Sequence, residues 1–185
     1  MNVLRAALPE VLVIEPDVFR DERGFFLETY HQQKYAAHGI AGPFVQDNHS
    51  RSTQGTLRGL HAQLERPQGK LIRAVKGNIW DVAVDIRRGS PRFGRWTAVE
   101  LSDENFKQCY VPPGFAHGFY TLSEIAEVEY KCTDFYHPVG ELHLLLNDPA
   151  LAIPWPDKNP VLSAKDRDGI SLKESEPHLP DFPAK

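Results

Sequence analysis

From Ile79 to Ile86 the chain alternates: Trp80, Val82, Val84 and Ile86 fall on one side, and Asp81 and Asp85 on the other. A period of two across eight residues marks a strand. Residues 71–75 read as a second strand just upstream, and Gly77-Asn78 between the two reads as a tight hairpin turn. Further short strands are expected over residues 96–101, 108–111, 118–122, 127–133 and 142–146, parted by turn signals such as Gly89-Ser90-Pro91 and Pro112-Pro113-Gly114. Many short strands at this spacing make an all-β fold: an antiparallel sandwich, jelly roll or barrel with few short helices. Residues 31–38, closed by Gly39, read as the one clear helix, and Ser102 is placed to cap a further short turn.

The chain has 185 residues, enough for one domain with a sizeable core. From Asp148 onward, Pro149, Pro154, Pro156 and Pro160 forbid a regular central strand. Residues 148–185 are therefore expected as an extended segment laid over the sandwich, with the last dozen loosely ordered. A net charge of −4 without basic bias gives no argument for nucleic acid or an anionic membrane surface. Cys109 and Cys132, in no CxxC spacing, read as two buried thiols of a reducing compartment. The N-terminus lacks the charged head and apolar run of a signal peptide, and no stretch is long enough to span a bilayer. A cytoplasmic protein is the expectation.

Eight histidines invite a metal reading, and spacing tests it. Gly55 ahead of His61, and the run from Pro112 to His117, resemble the two motifs of the cupin superfamily, whose jelly roll can hold a metal between its sheets. A metal-binding member would carry His-x-His in the first motif. Here the run is His61-Ala62-Gln63, so two good ligands remain where a catalytic ion usually takes three. No metal is expected. What remains is a set of titratable groups. On a strand His61 and Gln63 share a face, and Leu60 and Ala62 the other. Arg58, His61 and Lys70 within thirteen residues are costly to bury for structure alone, which points to a functional cluster. Tyr130 lies on the side of Val128 and Cys132, toward the interior, and its hydroxyl then needs a partner. The run from Gln46 to Ser52 has no long apolar side chain and reads as a polar loop.

Taken in order, the segments 19–26, 46–50, Leu57-Arg58-Gly59-Leu60-His61, 81–87, 113–119, 130–136, Asn147-Asp148-Pro149 and 162–166 resemble the dTDP-4-dehydrorhamnose 3,5-epimerase family over nearly the whole chain. The resemblance implies a cupin-like jelly-roll homodimer that needs no cofactor. Its substrate is a dTDP-linked deoxysugar with a ketone at carbon 4, and the reaction inverts carbons 3 and 5. It implies His61 as base, Tyr130 as acid, Asp166 as the carboxylate behind His61, and Lys70 as stabiliser of the enolate oxygen. It implies diphosphate pairing by Arg58 and Arg23. Substrate contacts follow at Glu28, Gln46, Asn48, Asp81, His117, Glu141 and Lys165, with Tyr136 stacking on the thymine. Arg23 and Glu28 would serve the neighbouring subunit's site. Two features depart from the pattern: Leu146, where many relatives carry tryptophan, and the run Leu142-His143-Leu144.

Three other readings stay open at this point. Relatives of the fold epimerise one carbon only, or act on other keto-deoxysugars. A non-catalytic sugar-nucleotide module would be favoured by loss of His61, Tyr130 or Asp166, and all three are present. A metal-dependent cupin is disfavoured by Gln63.

Overall fold

The computed structural model describes residues 1–40 and 42–182. Its strands are β1 (Asn2–Arg5), β2 (Leu12–Glu15), β3 (Val18–Asp21), β4 (Gly24–Leu27), β5 (Gln46–Thr53), β6 (Leu57–Gln63), β7 (Lys70–Lys76), β8 (Asn78–Asp85), β9 (Trp96–Ser102), β10 (Gln108–Val111), β11 (Phe115–Thr121), β12 (Ile125–Cys132) and β13 (Glu141–His143). Two antiparallel sheets result, ordered β1-β2-β10-β7-β12-β5 and β13-β6-β11-β8-β9, while β3 and β4 pair apart as a hairpin. This is the all-β, cupin-like jelly-roll class.

The alternating run becomes β8, but its turn differs from expectation. β7 and β8 form no hairpin: β7 pairs with β10 and β12, and β8 with β11 and β9. At Gly77 the chain crosses from one sheet to the other. The residue has φ +71°, and a Cβ there would run into the Ile125 carbonyl oxygen, so the crossover requires glycine. Glycine serves a hairpin and a sheet switch equally well, and local sequence does not separate them.

Three apolar layers explain why β8 is buried on both faces. Ile79 and Ala83 join Ile72, Ala74, Phe115, Phe119, Ala126 and Val128 between the sheets. Val82 and Val84 face outward, under Leu146, Leu151, Ile153, Leu172 and Leu179 of the C-terminal segment. On the far side, Tyr35 and Ile40 of the helical region cover Ile14, Leu71 and Tyr110. Asp85, fully buried, is held by both oxygens: Arg87 Nε donates to Oδ1 at 2.8 Å and Ser90 Oγ to Oδ2 at 2.6 Å. Such pairing is what makes a buried carboxylate tolerable.

The expected helix is α1 (Gln32–Ala36), with Gly39 at φ +83° beyond it. Two more helices lie in the Pro-rich segment read as extended, α2 (Ala164–Arg167) and α3 (Leu172–Ser175). Each starts at a serine whose side chain accepts from the third helical amide, Ser163 from Asp166 and Ser171 from Glu174. Both are N-cap signals present in the sequence. Leu179 is buried and Arg88 bridges to Asp181, while Pro183 and beyond lie outside the described residues. The run from Gln46 to Ser52, read as a loop, is strand β5, paired along its length with β12 at the sheet edge. Its polarity hid it: one face looks into a polar cavity and the other is exposed, so no apolar alternation is required. No helix of the described residues is long and apolar enough to cross a membrane.

Candidate active site

The inward face of the five-stranded sheet carries His61 and Gln63 from β6, Asp81 from β8 and His117 from β11. The facing sheet carries Lys70 from β7, Tyr130 and Cys132 from β12, and Gln46 and Asn48 from β5. These follow from the strand period, with Ile72, Ala74, Val128, Ala83 and Phe119 marking the same faces in the core between the sheets. A cavity of about 180 Å³ opens between them, lined by Gln46, Asn48, His61, Gln63, Gln68, Lys70, Tyr130, Cys132, Tyr136 and Glu141. His61 and Tyr130 thus occupy opposite walls.

His61 Nε2 lies 2.6 Å from Asp166 Oδ1, and Ser163 Oγ donates to Asp166 Oδ2 at 2.7 Å. Burial alone would raise the Asp166 pKa, but the hydrogen bonds from His61 and Ser163 hold it below the ordinary aspartate value. A carboxylate only accepts, so Nε2 of a neutral His61 carries the hydrogen and Nδ1 keeps the lone pair. Nδ1 has no hydrogen-bond partner among the described residues and is available as a base.

Burial pushes the Lys70 pKa down, and Cys132, Glu141 and Asp81 partly oppose it. No carboxylate among the described residues comes within ion-pair distance of its ammonium. Burial pushes the Tyr130 pKa up, aided by Cys132 and opposed by Arg58, so its hydroxyl holds its proton. No hydrogen-bond partner for that hydroxyl occurs among the described residues. His117 pairs with Asp81 across 2.7 Å, both buried. Neither residue is among those that line the cavity, and Asp81 Oδ1 is buried without a partner.

A strict period of two places Arg58 with Leu60, away from His61. The register between β6 and β11 slips by one between His117 and Phe119, which turns Arg58 to the inner side. There its Nε donates to the buried Ser52 Oγ at 2.9 Å and Nη2 to the Arg51 carbonyl at 3.2 Å. Gly59 makes the slip possible: at φ +119°, a Cβ would meet the Gly118 backbone. Gln63, the residue that spoils a His-x-His motif, has its own task. Its amide donates to the carbonyls of Arg66 and Phe135 and accepts from the His137 amide, tying down the rim loop.

At that rim Glu141 Oε2 accepts from Tyr136 Oη at 3.0 Å, and Lys165 Nζ stands 3.4 Å away. Gln46 accepts from the Tyr136 amide and donates to Asn48. Asn48 donates to Cys132 Sγ at 3.6 Å. Arg23 and Glu28 are elsewhere: Arg23 pairs with Asp21 on the β3–β4 hairpin, and Glu28 with Lys34 on α1. Within one copy they do not reach this cavity. Leu146 packs in the outer core, where Trp155 Nε1 donates to its carbonyl, and does not line the cavity. Sequence alone does not mark His143 as a site residue. Its position opposite His61 depends on the pairing of β13 with β6, which no local spacing announces.

Residues 5–174 match the family model for dTDP-4-dehydrorhamnose 3,5-epimerase. The chain is 52% identical over 178 residues to the dTDP-4-dehydrorhamnose 3,5-epimerase of Pseudomonas aeruginosa, covering 95% of this chain and 98% of the relative. It superposes with TM-score 0.96 and 48% identity, over 99% of both chains, on a dTDP-6-deoxy-D-glucose-3,5-epimerase from Legionella pneumophila solved with dTDP-4-keto-L-rhamnose. A 3'-monoepimerase from Streptomyces bikiniensis, solved with dTDP-quinovose, is similar at TM-score 0.89 and 34% identity, covering 96% of this chain and 92% of the other.

Proposed function

Because the chain belongs to the dTDP-4-dehydrorhamnose 3,5-epimerase family, we propose that it inverts carbons 3 and 5 of a dTDP-4-keto-6-deoxyhexose with the residues of the His61 cavity. The observation that carries this reading is the pairing of His61 with Asp166 on one wall and Tyr130 on the other. A proton beside a ketone is weakly acidic, and its removal needs a placed base and a stabilised enolate. His61 Nδ1 takes the proton from carbon 3 or 5, and the electron pair moves onto the carbon-4 oxygen. The Lys70 ammonium faces that charge. Tyr130 then donates its hydroxyl proton to the opposite face of the same carbon, completing inversion. Asp166, held anionic, stabilises the imidazolium between the two transfers. Exchange with water returns Tyr130 and His61 to their starting protonation states, and the second carbon follows by the same steps. No redox step occurs, so the chemistry calls for no electron carrier.

The test is turnover in heavy water with dTDP-4-keto-6-deoxyglucose, read by proton NMR. Deuterium is expected at both carbons. Label at neither carbon sinks the reading, and label at one alone assigns a monoepimerase such as the Streptomyces relative.

Lys70 sets an expected pH limit. It works as an ammonium, so activity is present below its pKa and lost above it. Because burial lowers that pKa while Tyr130 is raised, the first alkaline fall of kcat/KM belongs to Lys70 and lies below the ordinary lysine range. Lys70→Arg, which keeps its charge throughout, moves this limb to higher pH, and Lys70→Gln costs about 10²- to 10³-fold in kcat. An unmoved limb in Lys70→Arg assigns it to another group.

The nucleotide exceeds a cavity of about 180 Å³. We place its diphosphate on Arg58 and its base near Tyr136, with Gln46, Asn48, Glu141 and Lys165 along the rim. Arg23 and Glu28 contribute from a second copy. The hairpin that carries Arg23 supports this, because Phe19, Phe25 and Phe26 on it are 64%, 57% and 69% exposed and ask for a covering surface. Two free, buried thiols fit a cytoplasmic setting.

A further inference from the structure

One donor atom from each of His61, His143 and Asp166 lies within 4.8 Å of the others, the single such group among the described residues. The rings of His61 and His143 meet edge to face with centroids 4.6 Å apart. His143 has no part in the proton transfers above. Its Nε2 lies 3.1 Å from Glu141 Oε2. A carboxylate oxygen in that position accepts rather than donates. Nε2 therefore carries the hydrogen and Nδ1 the lone pair. That Nδ1 is buried with no hydrogen-bond partner. A desolvated lone pair without a donor is unfavourable, and a metal ion satisfies it.

The surroundings have the form of a ligand shell. Glu141 stands behind the imidazole of His143, and Ser163 stands behind Asp166. Such partners orient ligands and raise their basicity. Two imidazoles and one carboxylate suit a zinc-class ion, whereas magnesium and calcium prefer oxygen alone. Tetrahedral zinc bonds of about 2.0–2.1 Å put ligand atoms about 3.3 Å apart. The set must contract, and the 2.6 Å His61–Asp166 contact must open as the ion replaces the proton they share.

We propose that His61, His143 and Asp166 chelate a zinc-class divalent ion, and that the bound ion switches the enzyme off. Coordination through His61 Nε2 leaves the imidazole hydrogen on Nδ1, where the substrate proton would have to go. The base is consumed without any covalent change. The inhibitory half rests on the proposed function; the binding half does not.

Cobalt(II) and zinc titrated into the intact chain test the two halves separately. Cobalt is expected to give a one-to-one visible spectrum of a four- or five-coordinate ion, displaced by zinc. Zinc is expected to suppress the epimerase rate with the same stoichiometry, and EDTA to restore it. His143→Ala should weaken binding at least tenfold, with inhibition read against the variant's own zinc-free rate. His143→Gln, which keeps volume and a hydrogen bond to Glu141, repeats the measurement should circular dichroism show the alanine variant misfolded. His49→Ala, at a surface His–Glu pair, should bind as the parent does. No cobalt spectrum, or equal affinity in both His143 variants, overturns the site. Stoichiometric binding with an undiminished rate overturns the switch. A chain that shows the cobalt spectrum but no epimerase rate at all keeps the site and removes the proposed function instead.

Discussion

His61→Asn is expected to abolish deuterium incorporation at both carbons, with kcat falling at least about 10³-fold. Asparagine is smaller than imidazole and its amide stops short of the Nε2 position, so the hydrogen bond to Asp166 Oδ1 is given up while β6 still forms the wall of the cavity. It has no group that takes a proton near neutral pH. The loss comes from one side chain because His61 is the one histidine among the described residues that lines the cavity: His117 is paired with Asp81, and the free Nδ1 of His143 is buried. Binding of dTDP should change little, since Arg58 and the rim remain. Isothermal titration with dTDP and NMR exchange of the sugar protons separate the two effects. Exchange continuing within tenfold of the parent rate would remove His61 from the role, and a parallel loss of dTDP affinity would point to a disturbed fold.

How far the site was readable from sequence depends on what each residue's position rests on. The inward setting of Tyr130 follows from its alternation with Val128 and Cys132, whereas alternation puts His61 and Gln63 on one face of β6 without saying where that face points, because Leu60 and Ala62 on the other face are buried too. Asp166 is 105 positions from His61 and sits on a four-residue helix. Only the whole-chain resemblance connected them, although the Ser163 cap was visible. Arg58 needed the β6–β11 slip to reach the inner face, and bulges leave no signal in hydrophobic pattern. β5 was missed because a strand that edges one sheet and lines a polar cavity has no apolar face to show. The Gly77 turn departs from its local reading for a different reason. A hairpin and a crossover demand the same local chemistry, and long-range pairing decides between them. Local period was therefore a good guide to faces and a poor guide to neighbours. His143 is the case where this matters most, because its place beside His61 is purely a matter of neighbours.

Tyr130→Phe should split the reaction that His61→Asn stops. The phenyl ring keeps the packing against the core between the sheets and loses only the hydroxyl. His61 still removes the proton, Lys70 still faces the enolate, and the abstracted proton still exchanges with solvent on the imidazole. With no acid on the opposite wall, the deuteron returns from the His61 side. Deuterium then enters with retained configuration, while inversion falls about 10²- to 10⁴-fold. The ratio of exchange to epimerisation rises by the same factor. This ratio is the informative quantity, because a merely structural role for Tyr130 would slow both processes together. Equal losses would place the acid elsewhere. Its pKa adds a second check: burial keeps the Tyr130 hydroxyl protonated above the ordinary tyrosine range. In the parent, inversion should therefore fail at high pH through Lys70 before Tyr130 ionises, and the exchange-to-inversion ratio should stay flat across that first alkaline limb.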